Sequence, residues 1–144
     1  MCGICGFVSR GDISLEALRG MNDTMYHRGP NDSGAEIYVG GDGYRVGFAQ
    51  RRLSIMDLSE LGHQPMHSEA AFGVAGQCVS VVFNGEIYNF GELKKELSDY
   101  PFKSNCDTEV IIAAYLKWGI SCIDRMNGMF AIALYDRRSA EVFL

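Results

Sequence analysis

Cys2 is the residue of this sequence whose type and position point most directly to chemistry. Aminopeptidases remove Met1 when the next residue is small, and the thiol of Cys2 would then share its residue with a free α-amine. The ordinary pKa values of these groups are about 8.5 for the thiol and about 7.7–8.0 for the amine, so the amine can take the thiol proton near neutral pH. Such a residue is a nucleophile with its own base, able to attack an amide carbon and form a thioester.

Cys2 also forms a Cys-x-x-Cys pair with Cys5, the spacing of redox centres and zinc half-sites. A thioredoxin-like motif lies between a strand and a helix, whereas an apolar strand follows this pair. A zinc site needs four ligands, and His63 and His67, which are suitably spaced, lie far from Cys5 in the sequence. A redox or zinc module therefore stays an alternative. The cysteines expected to face a core are Cys5, Cys78 and Cys122.

Asn84-Gly85 could supply the hydrogen-bond donors that an amide-cleaving nucleophile needs where the oxyanion forms. The pair follows a predicted strand over residues 78–83. Asn offers a side-chain amide, and Gly offers an unobstructed backbone N–H. Asn-Gly is also a common tight turn, but residues 86–89 do not resemble a simple return strand. We therefore favour the interpretation as oxyanion donors.

A site for a free amino acid also needs a cation for the carboxylate and an anion for the ammonium group. The planar guanidinium of Arg suits a carboxylate, and Arg51 and Arg52 precede a short apolar segment. Asp107 opens a predicted helix over residues 107–118. In isolation both features have commoner explanations, a solvated Arg pair and a helix-capping Asp.

The elements that would position these residues are short strands and helices. Hairpins are frequent and no regular βαβ alternation occurs, which favours antiparallel sheets packed with helices, an α+β class. The apolar end of the chain at Leu144 suggests a strand cut from a longer protein. The predicted strands are 3–8, 35–39, 44–49, 70–74, 78–83, 129–135 and 140–144, and the predicted helices are one capped by Ser14 and those over 90–97, 107–118 and 120–126.

Composition excludes several classes of function. The chain has 144 residues, of which 47% are hydrophobic and 22% charged, as in one globular domain. No apolar run reaches the roughly 18 residues that span a bilayer, and the N-terminus lacks a secretory signal. A net charge of −5 without a basic cluster disfavours nucleic-acid binding. Five cysteines, an odd number, indicate reduced thiols in the cytoplasm.

Seven short stretches occur in a fixed order along nearly the whole chain. They are MCGICG at 1–6, YHRGPNDSG at 26–34, RLSIMD at 52–57, GHQPM at 62–66, FNGEIYN at 83–89, DTE at 107–109 and NGMFA at 127–131. Together they resemble the glutaminase domain of class II glutamine amidotransferases, most closely that of glutamine-hydrolysing asparagine synthetases. One stretch alone would be weak, whereas the ordered set is highly specific.

This resemblance implies the N-terminal nucleophile hydrolase fold, with two antiparallel β-sheets sandwiched between helical layers. It implies that Cys2 is the nucleophile and that the side chain of Asn84 and the backbone of Gly85 form the oxyanion hole. Arg52 would hold the carboxylate of L-glutamine, and Asp107 would hold its α-ammonium group. The further glutamine contacts that the resemblance implies are the backbone of Leu53, Ser54, Ile55 and Met56, together with Glu86.

The implied reaction is hydrolysis of the side-chain amide of L-glutamine to glutamate and ammonia through a thioester on Cys2. The domain itself would need no metal or cofactor. Ammonia would pass to a synthetase domain of the same full-length chain, which uses ATP and Mg²⁺ and amidates aspartate. We expect residues 1–144 to be the glutaminase domain without its C-terminal part and without that synthetase domain.

Besides the redox or zinc module, two alternatives remain beside this hypothesis. They are a non-catalytic module that binds glutamine or docks a partner, and an amidotransferase for another carboxylate acceptor. Sheet edges left unpaired by the missing strands would permit a homodimer. The sequence also departs from the family pattern at two positions. Gln50 stands where members often carry His, and Asn31 stands where Asp is common. Neither is a proposed catalytic position, so we expect small effects.

Overall fold

Two antiparallel β-sheets lie face to face in the computed structural model, which describes residues 2–41, 43–54 and 60–144. The strands are β1 (Gly3–Ser9), β2 (Asp32–Val39), β3 (Arg45–Arg52), β4 (Met66–His67), β5 (Val79–Ile87), β6 (Gly128–Asp136) and β7 (Glu141–Phe143). One sheet has the order β1-β3-β2, and the other has the order β4-β5-β6-β7. Apolar side chains from both sheets meet between them, among them Phe48 of β3 and Val82 of β5.

Helices cover the outer faces of the two sheets. They are α1 (Leu15–Asp23), α2 (Phe90–Glu96) and α3 (Asp107–Trp118), with short 3-10 helices at Tyr26–Arg28, Glu60–Gly62 and Gly119–Arg125. Ser14 caps α1, because its hydroxyl oxygen accepts the N–H of Ala17 at 3.1 Å. α1 packs on the first sheet and α3 on the second, so the layers run helix, sheet, sheet, helix. No described helix has the length and apolar character needed to cross a membrane.

α3 and β5 form the core on the outer side of the second sheet. Every residue of α3 from Asp107 to Leu116 is buried, as expected for a helix that is apolar on most sides. Successive side chains of β5 point to opposite faces of the sheet. The strand therefore contributes to the core beside α3 and to the core between the two sheets. Val81 and Phe83 pack toward α3, whereas Val82 packs between the sheets.

The structure corrects the predicted hairpin over residues 70–83. Residues 70–74 form only a single bridge between Ala71 and Val74, since Phe72 and Gly73 both have positive φ, 52° and 77°, which turns the chain instead of extending it. β4 takes the place of that strand beside β5. β5 also continues through Asn84-Gly85 to Ile87, so the pair is not a turn.

The remaining predicted elements agree with the structure to within a few residues. The strand predicted at 35–39 begins earlier, at Asp32, and the helix predicted at 120–126 is a 3-10 helix. Gly119 ends α3 with a φ of 64°, a conformation that glycine adopts without strain. Of the cysteines expected in a core, Cys122 is buried, whereas Cys5 and Cys78 are half-buried.

We predict that Ile111→Ala, in the middle of α3, lowers the free energy of unfolding by about 2–5 kcal/mol because it leaves a cavity in a closed core. Ile111 is fully buried, whereas Ile120 is 48% exposed and provides the control. Ile120→Ala should change the same quantity by about 0.5 kcal/mol or less. Denaturant titration measures both, and equal losses would contradict the burial of Ile111 in the core.

Candidate active site

A pocket opens at the edge of β5, just beyond the end of β4. β4 pairs with β5 only at Val81 and Ser80, so from Phe83 onward this edge faces side chains instead of a strand among the described residues. The pocket has a volume of about 150 Å³, a size that holds one small molecule. Its lining residues are Cys2, Gln50, Arg52, Leu53, Gln64, Phe83, Asn84, Gly85, Glu86, Cys106, Asp107, Thr108 and Met129.

Cys2 lies on the wall of this pocket, immediately before β1. Its Sγ accepts the backbone N–H of Leu53 at 3.3 Å. Its carbonyl oxygen accepts the Nε–H of Arg28 at 3.3 Å. Both the backbone and the sulfur of the residue are therefore fixed, and the sulfur shares the pocket with Asn84 and Gly85.

The backbone N–H of Gly85 points toward the pocket, because the N–H groups of an antiparallel strand alternate between its two edges. Even-numbered residues of this segment face β6, as the bond from Tyr88 N to Asn127 O shows. Odd-numbered residues face the other edge, where Ile87 N donates to Asp107. Gly85 falls between such residues, and no described acceptor takes its N–H. It is therefore open to a ligand.

The side chain of Asn84 has an unsatisfied polar atom. Its Oδ1 is buried, and the described residues give it no hydrogen-bond partner. A buried polar group without a partner costs about 1–3 kcal/mol, so such groups usually have a ligand, an ion or water beside them. Because Asn84 lines the pocket beside the open N–H of Gly85, its amide can turn its NH₂ group toward the same ligand.

Arg52 ends β3 and brings a buried guanidinium to the pocket. Gly62 packs against this group, since a Cβ built on Gly62 would lie 2.1 Å from Nη2 of Arg52. Asn31 holds the backbone on both sides of Leu53, directly after Arg52. Its N–H donates to the carbonyl oxygen of Arg52 at 3.1 Å, and its Oδ1 accepts the N–H of Ser54 at 3.1 Å.

Asp107 brings a carboxylate to the same pocket, from the first turn of α3. Its Oδ2 accepts the N–H of Ile87 at 3.0 Å. Burial raises the pKa of this carboxyl above the ordinary value of an aspartate, and the nearby charge of Glu86 adds to the increase. The loop before α3 is held by Glu109, whose carboxylate accepts the N–H groups of Lys103 and Ser104 at 2.9 and 2.8 Å.

The structure thus brings most of the predicted site residues together around one pocket, which carries a guanidinium and two carboxylates. Leu53 lines the wall, and Glu86 lies at the exposed rim. Ser54 lies next to Leu53, outside the lining. Ile55 and Met56 lie outside the described residues. The chemical roles of all these residues stay predictions.

Residues of the pocket that sequence reasoning missed are mostly polar and buried. Gln50 was noted only as a departure from a family pattern, and Gln64 only as part of a motif. Cys106 is a second thiol in the pocket, and burial raises its pKa, which keeps it protonated at neutral pH. No cluster of three or more metal-ligating side chains exists among the residues that the structure describes. His63 instead contacts Asp32 at 2.8 Å.

Comparisons with known proteins show which family the chain resembles. A family model described as a glutamine amidotransferase domain matches residues 1–144. A glutamine-hydrolyzing asparagine synthetase of Bacillus subtilis is 39% identical over 149 residues, which cover 100% of this chain and 18% of that protein. One of Methanocaldococcus jannaschii is 37% identical over 154 residues, covering 99% of this chain and 29% of that protein. The chain therefore spans less than a third of the length of these relatives.

A solved structure, the glutamine phosphoribosylpyrophosphate amidotransferase of Bacillus subtilis, shares the fold. Its TM-score with this chain is 0.69 at 16% sequence identity, over 93% of this chain and 35% of that one. The likeness confirms the predicted α+β fold of the N-terminal nucleophile hydrolase type, with its two sheets between helical layers.

We predict that Gly62→Ala displaces the guanidinium of Arg52, because the new Cβ occupies its place. The side chain can swing away, so the free energy of unfolding should change by less than about 1 kcal/mol. If Arg52 holds the ligand carboxylate, as the sequence resemblance predicts, the affinity for L-glutamine should fall about 10-fold or more, the usual effect of losing a hydrogen bond to a charged group. Calorimetric titration of a Cys2→Ala background measures this. Gly91→Ala, which meets no atom within 4 Å, should bind as before.

Proposed function

Because the chain belongs to the family of glutamine amidotransferase domains, we propose that Cys2 hydrolyses the side-chain amide of L-glutamine in the pocket beside β5. The observation that carries this assignment is that a thiol, an open backbone N–H, an arginine and a buried aspartate line the same small pocket. A redox or zinc site would need none of the last three groups.

The charges of the pocket suit the backbone of a free amino acid. The guanidinium of Arg52 binds the α-carboxylate of glutamine. The carboxylate of Asp107 binds the α-ammonium group, and the acidic rim at Glu86 adds to this attraction. With both charged ends held, the side-chain amide extends toward Cys2.

The reaction proceeds in two stages on Cys2. Met1, which lies outside the described residues, is removed first, so that the α-amine of Cys2 takes the thiol proton. The thiolate forms a C–S bond to the amide carbon, and Gly85 and Asn84 donate hydrogen bonds to the oxyanion. As the C–N bond breaks, ammonia leaves with the proton held by the amine. Water then attacks the thioester, releasing glutamate and restoring the thiol.

The ammonia released here serves a second reaction in the longer protein that we propose. Residues 1–144 are then its glutaminase domain, and the following part carries an ATP- and Mg²⁺-dependent synthetase domain that amidates aspartate. The names of the curated relatives, glutamine-hydrolyzing asparagine synthetases, support this acceptor. The five free cysteines support a cytoplasmic location. A homodimer through exposed strand edges also stays a prediction.

The direct test of the nucleophile is covalent labelling with a diazo-ketone analogue of glutamine, mapped by mass spectrometry. We expect one adduct, on Cys2, together with release of equal amounts of glutamate and ammonia from L-glutamine by the unlabelled protein. Intact mass should show that Met1 is absent. Cys78→Ser, at a half-buried thiol outside the pocket, should label and turn over normally.

Cys2→Ala should abolish both labelling and turnover, because no other group of the pocket is an accessible thiol. Cys106, the second thiol of the pocket, is the informative alternative, since burial raises its pKa and leaves it a poor nucleophile. An adduct on Cys106 in place of Cys2, or full turnover by Cys2→Ala, would refute the proposed mechanism.

We predict that glutamine affinity falls on acidification as Asp107 takes up a proton. Because burial raises its pKa, this loss begins at a higher pH than for an ordinary aspartate, whose pKa is about 3.9. Titration of the Cys2→Ala variant by calorimetry over a pH series measures it. Asp107→Asn should bind at least about tenfold more weakly at neutral pH, with less dependence on pH.

Asp107→Asn should also stabilise the fold at neutral pH. A raised pKa means that the folded state binds the proton more tightly than the unfolded chain, so the ionised carboxylate weakens folding above that pH range. Asparagine keeps an oxygen for the N–H of Ile87 and removes the buried charge. Denaturant titration should therefore show equal or higher stability for Asp107→Asn. A less stable variant would contradict the burial of an ionised Asp107.

A further inference from the structure

We propose that Gln50 and Gln64 are positioning residues for the hydrolysis, an amide clamp that replaces a missing strand beside Phe83 and thereby sets the position of Asn84 and Gly85. This inference rests on the proposed function. Both side chains line the pocket, and neither needs to touch the reacting atoms for the clamp to act.

The amide clamp satisfies both backbone polar groups of Phe83. Nε2 of Gln50 donates to the carbonyl oxygen of Phe83 at 2.9 Å. The N–H of Phe83 donates to Oε1 of Gln64 at 2.7 Å. The glutamine residues are only 1% and 4% exposed, so water cannot take over these bonds without reorganising the site. Losing either partner would leave a buried backbone group unsatisfied.

The geometry explains why a side chain is needed here. Met66 lies opposite Val81 and His67 opposite Ser80, so continuing the same antiparallel register would place Gln64 opposite Phe83. β4 begins only at Met66, so none of its backbone lies opposite Phe83. Gln64 therefore meets Phe83 with its side-chain amide instead of its backbone, and Gln50 supplies the donor from the other sheet.

The amide clamp also joins the elements that carry the proposed glutamine contacts. Gln50 lies on β3, two residues before Arg52. Nε2 of Gln64 donates to the hydroxyl oxygen of Thr108 at 3.0 Å, next to Asp107. The peptide of Phe83 thus connects the strand of the guanidinium with the helix of the carboxylate. Asn84 follows Phe83 through one planar peptide bond, so a displacement of Phe83 moves both oxyanion donors.

Each position demands a specific hydrogen-bonding capacity, which makes the proposal testable. Residue 50 must donate to a carbonyl oxygen, and residue 64 must accept an N–H. Methionine matches the length of glutamine without either capacity. Histidine retains a ring N–H at position 50, so Gln50→His is the variant expected to preserve the bond. Gln77 is exposed and outside the pocket, and Gln77→Met provides the matched control.

The experiment compares kcat and KM for glutamine in Gln50→Met, Gln64→Met, Gln50→His and Gln77→Met. Diazo-ketone labelling counts the competent sites, so that partial unfolding does not lower the reported kcat. A misplaced donor weakens binding of the oxyanion only, so both Met variants should lose about 10- to 100-fold in kcat with little change in KM. Gln50→His should recover most of this loss, and Gln77→Met should match the unchanged protein.

Amide hydrogen exchange at Phe83, measured by NMR, adds a readout that does not need turnover. We expect faster exchange at Phe83 in Gln64→Met, which loses the acceptor. Faster exchange with unchanged kcat would overturn the positioning role, as would a rise in KM alone or a failure of Gln50→His to recover kcat. If the unchanged protein neither labels at Cys2 nor releases ammonia, the proposed function fails, whereas normal turnover in both Met variants overturns the amide clamp alone.

Discussion

The backbone edge of β5 beyond the end of β4 is the constraint on which the site depends. A strand buried in a protein must satisfy its N–H and C=O groups, and β4 does so only as far as Val81. Beyond Val81, the side-chain amides of Gln50 and Gln64 form hydrogen bonds with the backbone of Phe83. The carboxylate of Asp107 accepts the N–H of Ile87. Gly85, between Phe83 and Ile87, has an N–H that no described residue accepts. The proposed oxyanion donor is therefore a ladder position left without a partner in the described part of the chain.

The hydrogen bond between Asp107 and Ile87 places a negative charge where burial makes it costly. Asp107 satisfies the N–H of Ile87, and to do so it sits buried at the start of α3. Desolvation opposes its ionised form, which the raised pKa reports. Helix dipole and backbone N–H groups offset part of that cost. A ligand that brings an ammonium group, such as the proposed glutamine substrate, would offset more of that cost.

Sequence reasoning reached the reactive groups more readily than the residues that hold them. Cys2 and Asn84-Gly85 were identified because their types suit chemistry that few residues can perform, and the ordered motifs then suggested partners. The antiparallel class followed from local patterns of hairpins. The strand predicted at 70–74 is wrong, although the residue types suit a strand. Phe72 and Gly73 both have positive φ and turn the chain instead of extending it.

Gln50 and Gln64 could not be assigned from local pattern, because their importance arises from contacts across 33 and 19 residues of sequence. A glutamine in a strand or before a proline has no distinctive periodicity, and burial of its amide becomes visible only when both sheets are in place. Gln50 also showed the limit of arguing from catalytic positions alone. It departs from a family pattern at a residue without a predicted chemical role, yet its amide donates to the peptide next to the proposed oxyanion donors.

β5 shows how one strand can contribute both to the packing of the fold and to the proposed site. Its two side-chain faces supply separate cores, through Phe83 toward α3 and Val82 between the sheets. One backbone edge pairs with β6 over the whole strand, and the other edge lines the pocket. Gly85 fits this arrangement because the backbone of β6 occupies the space of a Cβ, with Met129 O only 2.3 Å away. Close packing of Gly85 against β6 thus fixes the position of its N–H, which the other edge of β5 presents to the pocket.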